Sequence, residues 1–112
     1  MERTHKSWGE KWNVFLNDTC EVSILYLNPN QRCSFHKHQS KFNQFFVIEG
    51  TLFIQTKEGL AEVKTNQVFT TRPGEMHEFQ THTEKAVIQE IMYVKYEPED
   101  IQRETIGGPL NG

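Results

Sequence analysis

Apolar residues in this chain come in short runs rich in β-branched and aromatic side chains, and turn residues interrupt them every eight to twelve positions. That rhythm suits an antiparallel sandwich or barrel and leaves no room for long helices. The runs are Lys11–Asn17, Cys20–Asn28, Arg32–His38, Phe42–Glu49, Thr51–Thr56, Leu60–Lys64, Gln67–Thr71, Met76–Thr81 and Ala86–Tyr96. Between them stand Asn28-Pro29-Asn30, Gly50, Lys57-Glu58-Gly59 and Arg72-Pro73-Gly74, all able to turn the chain. The pattern therefore predicts an all-β fold of antiparallel strands. Helix is expected for at most a turn or two near Pro98–Arg103, where Pro98 fits a first helical position and Glu99 and Asp100 suit a helix N-terminus. At 112 residues the expectation is one domain over 1–112, with a core at about 11–96 and a tail at 97–112.

Two runs break the alternation of apolar and polar positions. Phe42-Asn43-Gln44-Phe45-Phe46-Val47-Ile48 is apolar at both parities, and so is Ala86-Val87-Ile88 leading to Ile91-Met92. A strand apolar on both faces is covered on both sides, so a second subunit is expected over the outer face and the chain is expected to be a homodimer. Twelve Lys+Arg against fifteen Asp+Glu give a net charge of −3, with the basic residues scattered. Nucleic acid and anionic membrane surfaces are therefore not expected partners. No apolar run approaches the roughly 18 residues that span a bilayer, and a polar N-terminus points to a cytoplasmic protein. Cys20 and Cys33 read as two thiols filling strand positions; Cys33 keeps some claim to reactivity because a histidine pair follows it.

The histidines at positions 5, 36, 38, 77 and 82 carry most of the functional information. His36 and His38 are two apart within a β run, so both point to one face, roughly 6–7 Å apart along the strand. Two imidazoles so placed can lean onto one ion of the Zn, Fe, Mn, Ni or Cu group, and such a set is completed from a neighbouring strand. His77, just after Arg72-Pro73-Gly74, is the natural third ligand. The plain alternative is a pair of hydrogen-bonded barrel histidines. His5 and His82 lie in polar surroundings and are expected to be exposed.

Ser34-Phe35-His36-Lys37-His38, Phe45-Phe46-Val47-Ile48-Glu49-Gly50 and Arg72-Pro73-Gly74-Glu75-Met76-His77 together resemble the two signature motifs of the cupin superfamily. Trp8-Gly9, Ile88-Gln89-Glu90-Ile91 and Glu99-Asp100-Ile101-Gln102-Arg103 extend the resemblance to the small cupin domain of type II mannose-6-phosphate isomerases and their stand-alone relatives. The resemblance implies a double-stranded β-helix (jelly-roll) barrel, a divalent metal and an aldose–ketose isomerase acting on a phosphorylated sugar. Where cupins usually carry a glutamate ligand, seven residues before the glycine, this chain has Asn43, followed by Gln44. An amide is neutral, so the ion would keep its full +2 charge, be held less tightly and be a stronger Lewis acid. Asn43 holds the aligned slot; a local bulge would exchange it for Gln44, and water could take the place of both.

Isomerisation moves a proton between adjacent carbons and needs an acid/base group. Glu78, Glu90, Lys37 and Tyr93 are candidates by position, and Glu90, set in the apolar run Ile88–Met92, is preferred. Arg103 is the phosphate candidate, because its planar fork matches phosphate oxygens and the resembling family has an arginine in its matching tail. Two other functions stay open on the residues alone: an iron oxygenase using a three-histidine site, and a non-catalytic cupin that binds a small molecule or sugar.

Overall fold

The computed structural model describes residues 1–94, 98–100 and 102–110. Its strands are β1 Glu2–Lys6, β2 Gly9–Leu16, β3 Cys20–Leu27, β4 Phe42–Glu49, β5 Thr51–Thr56, β6 Gly59–Lys64, β7 Val68–Thr71, β8 Glu78–Gln80 and β9 Ala86–Tyr93. All pair antiparallel, in a six-stranded sheet of order β1-β2-β3-β9-β4-β7 and a three-stranded sheet of order β6-β5-β8. The jump from β3 to β9 to β4 is what a jelly roll requires, because strands distant in sequence lie side by side. The expected antiparallel cupin jelly roll is present, and among the described residues its two sheets face each other as a sandwich without closing into a barrel.

Alternation explains the core. In β4 Asn43, Phe45 and Val47 are buried and Phe42, Gln44 and Phe46 half-buried; in β9 Ala86, Ile88 and Glu90 are the buried set. From the small sheet Leu52 and Ile54 of β5 face them, both fully buried, and Phe79 of β8 packs edge-on to Trp8 and to Phe45. Each such side chain, once removed from water, contributes about 1.5–3 kcal/mol before entropy is counted. The opposite face of the large sheet carries half-buried Val22, Ile24, Val87, Ile91 and Phe46, with Tyr26 38% and Val68 50% exposed.

Three local expectations are corrected. β1 was not expected, since Glu2-Arg3-Thr4-His5-Lys6 is exposed throughout; it exists only through its ladder to β2. No helix forms at Pro98–Arg103 among the described residues; Pro98 and Glu99 make a turn, and Ile101 lies outside the described residues, as do Lys95 and Tyr96 at the end of the last expected run. Arg32–His38 is not a regular strand either. Its partners run Arg32 to Gln80 and Cys33 to Phe79, then His36 to His77, so one extra residue is inserted between Cys33 and His36. That is a β-bulge, and it interrupts the ladder.

Candidate metal centre

The bulge decides where the histidines point. In the register set by Arg32 and Gln80, Phe35 would oppose His77; the inserted residue puts His36 there, held by His36 N to His77 O at 3.0 Å and His77 N to His36 O at 2.8 Å. Phe35 turns to solvent while His36 and His38 are drawn inward. The turn before His77 is fixed by the Arg72 amide donating to Glu75 Oε1 (2.7 Å), and the Gly74 amide donates to His38 O (2.7 Å), tying both histidine segments together.

One nitrogen of each of His36, His38 and His77 lies within 4.8 Å of the others, a group that could hold a metal ion. Their ring centroids are 4.6–5.5 Å apart, and Phe45 of β4 packs edge-on to His77. Nδ1 of His36 lies 2.7 Å from Ser34 O, and Nδ1 of His77 lies 3.0 Å from Glu75 O. A carbonyl only accepts, so Nδ1 carries the proton in both rings and Nε2 keeps its lone pair. Burial pushes the His38 and His77 imidazoles below their ordinary value; for His38 the neighbouring imidazoles add to this, and for His77 the Glu75 carbonyl opposes it. Both shifts favour the neutral ring, the form a metal accepts.

Asn43, 1% exposed, shares the inner face of β4 with Phe45 and donates from Nδ2 to Glu90 Oε2 at 3.3 Å. Gln44 is half-buried on the opposite face, because the one irregularity in the β4–β9 pairing falls at Val47/Glu49, beyond the residues where it would exchange the two amides. The ligand alternative involving Gln44 is therefore not borne by the geometry. Glu90 is 8% exposed, and burial raises its carboxyl above the ordinary value against the opposing effects of Lys11 and the Asn43 hydrogen bond. Among the described residues, the buried side-chain nitrogen and oxygen atoms without a hydrogen-bond partner are His38 Nε2, His77 Nε2 and Asn43 Oδ1. Unpartnered buried polar atoms are destabilising, and a divalent cation accepts electron pairs from two imidazoles and an amide oxygen alike. The donor set fits a metal.

The remaining candidates lie elsewhere. Arg103 is exposed beyond β9, in no hydrogen bond or ion pair with a described residue. Glu78 is buried and accepts from Gln80 Nε2 (2.8 Å). Cys33 is inert: burial pushes its thiol up to about 11, and its sulfur accepts from the Phe79 amide. His5 is exposed, and exposed His82 stacks on Phe53 with centroids 3.7 Å apart. Sequence reasoning missed Ser23, buried on the inner face opposite Glu90 and 3.4 Å from Asn13 Nδ2. Its signal was a polar residue between Val22 and Ile24, at a parity where the core calls for an apolar one.

No curated protein matches the sequence. Among solved structures, KdgF from Halomonas sp. superposes with a TM-score of 0.76 at 8% identity, over 86% of this chain and 90% of that one. A cupin-2 domain protein from Shewanella frigidimarina gives 0.66 at 17% identity, over 79% and 82%. A sugar phosphate isomerase from a cupin superfamily, from Silicibacter pomeroyi, gives 0.68 at 16% identity, over 77% of this chain and 59% of that one. At these identities the likeness is one of fold, and the fold is the cupin's. The family model for the C-terminal part of mannose-6-phosphate isomerase matches residues 1–104. With that match over nearly its whole length, the chain belongs to the mannose-6-phosphate isomerase C-terminal family.

Proposed function

We propose that this chain holds one divalent ion of the Zn, Mn, Ni or Fe group through Nε2 of His36, His38 and His77 and Oδ1 of Asn43, and that it isomerises a phosphorylated aldose and ketose at that ion. The observation that carries the reading is the convergence of three imidazoles, two of whose buried Nε2 atoms, like the buried Asn43 amide oxygen, have no hydrogen-bond partner. When bound, the ion supplies a Lewis acid for the substrate's carbonyl and enediolate oxygens, undiminished by any negative ligand. Glu90 is the proposed proton carrier between the two carbons: it is buried on the inner face of β9 and hydrogen-bonded to Asn43. Phe45, packed on His77, and Ile88, two residues before Glu90 on β9, are fully buried. Arg103, on the segment after β9, is the proposed phosphate contact, and Arg103→Ala should raise KM for the phosphorylated sugar while leaving metal binding unchanged.

The half-buried outer face of the large sheet supports a homodimer, which native mass spectrometry would test. The functional test is elemental analysis of protein purified without an affinity tag, followed by an assay of mannose 6-phosphate conversion to its ketose. Zn, Mn or Ni near one equivalent with turnover supports the isomerase. Iron with oxygen consumption would replace it by an oxygenase, and absence of metal would leave a small-molecule binder.

A further inference from the structure

An amide ligand has a choice that a carboxylate does not: only its oxygen can bind a cation, and its NH2 end would repel one. Whatever fixes the Asn43 amide about its last torsion therefore decides whether the site can form. The Asn43 NH2 group donates to Glu90 Oε2, which accepts the bond. Glu90 thus selects the orientation that leaves Oδ1 free, and Oδ1 is the end found buried without a partner. The two residues sit on adjacent strands as diagonal neighbours, since Asn43 opposes Met92 and Glu90 opposes Phe45. The backbone at Asn43 is pinned as well, because Thr71 Oγ1 donates to its carbonyl at 3.4 Å.

Glu90 is in neither of the ion pairs among the described residues; Lys11 pairs instead with Glu21 at 2.7 Å. The Asn43 amide is thus the side-chain partner that the described hydrogen bonds give it.

We infer that Glu90 is the positioning residue of the metal centre: from β9 it orients Asn43 as an oxygen ligand. This rests on the metal reading above and deepens it. Only Oε2 is engaged by Asn43, so positioning is separable from any proton that Oε1 carries.

The test is a double-mutant cycle on Zn²⁺ affinity, measured by competition with a chromophoric chelator, with cobalt absorption as a second readout of ligand geometry. Glu90→Met removes the acceptor and fills the space; because Glu90 has no ion-pair partner among the described residues, the fold should persist. Its expected effect is a loss of about 10- to 100-fold, the usual range for residues that orient metal ligands. In an Asn43→Ala background the same change should cost almost nothing further, as there is no amide left to orient. Glu90→Gln keeps an acceptor for the Asn43 NH2 group and should retain more affinity than Glu90→Met; it also serves if the methionine variant fails to fold. Equal losses from Glu90→Met with and without Asn43, or a Gln variant as weak as Met, would overturn the inference. Zn²⁺ binding untouched by His77→Ala would instead overturn the metal site itself, so the two failures are distinguishable.

Discussion

Gly50 and Gly74 have the same backbone conformation, φ +84°, in different surroundings, and replacing each by alanine separates conformational strain from steric conflict. At Gly74 an added Cβ meets nothing within 4 Å, so Gly74→Ala carries only the penalty of a left-handed L-residue, about 1–2 kcal/mol. At Gly50, where β4 turns into β5, the new carbon would press on the Lys85 carbonyl oxygen closer than any real Cβ approaches, and lie 3.1 Å from Ala86 Cα. These are backbone atoms at the start of β9, so relief requires moving the strand that carries Ile88 and Glu90. Overpacking of this kind adds roughly 1–3 kcal/mol, for a total of about 2–5 kcal/mol at Gly50. Urea unfolding of the two variants with m held in common measures the difference. Equal losses at the two glycines would refute the packing of the β4–β5 turn against β9.

Two further outcomes follow from the site. Phe45→Ala, at a fully buried ring packed on His77 and Phe79, should cost about 3–5 kcal/mol in urea unfolding and also weaken metal binding by freeing His77; a loss below 1 kcal/mol would contradict the core described. In metal-free protein the folded values of His38 and His77 lie below the ordinary 6.5, so the unfolded chain binds protons first. Their contribution is full above pH 6.5 and is lost as pH falls through the lowered values, with a slope of up to about 1.4 kcal/mol per pH unit for His77, which is 1% exposed. Glu90, raised above 4.5, acts in the opposite sense: its contribution is present below 4.5 and is lost as pH rises through its folded value. Urea midpoints of the wild type and His77→Gln in chelator across this range should therefore diverge below pH 6.5, and parallel curves would contradict the burial of His77.

The strands legible in the sequence were those whose side chains alternate against a core, such as β4 with Asn43, Phe45 and Val47 inward and β5 with Leu52 and Ile54. β1 was not legible because both of its faces meet water and only pairing with β2 makes it a strand. The histidine group was legible as a composition of candidate ligands, whereas its geometry was not. Spacing two apart placed His36 and His38 together on a regular strand, but the side of the sheet they occupy is set by the bulge after Cys33, which leaves no mark on residue type. Parity similarly favoured Asn43 over Gln44, yet the decision needed the location of the β4 irregularity at Val47/Glu49. The antiparallel cupin jelly roll was legible, but how far its sheets close was not, because barrel and sandwich differ only in hydrogen bonds between strands far apart in sequence and share the same alternation.

The most direct measurement is Zn²⁺ or Co²⁺ titration of tag-free, metal-stripped protein beside its His77→Ala variant. One equivalent bound by the wild type, with a tetrahedral or five-coordinate cobalt spectrum that the variant loses while staying folded, is the result predicted. A variant that binds the same equivalent with the same spectrum would contradict the centre at His36, His38 and His77.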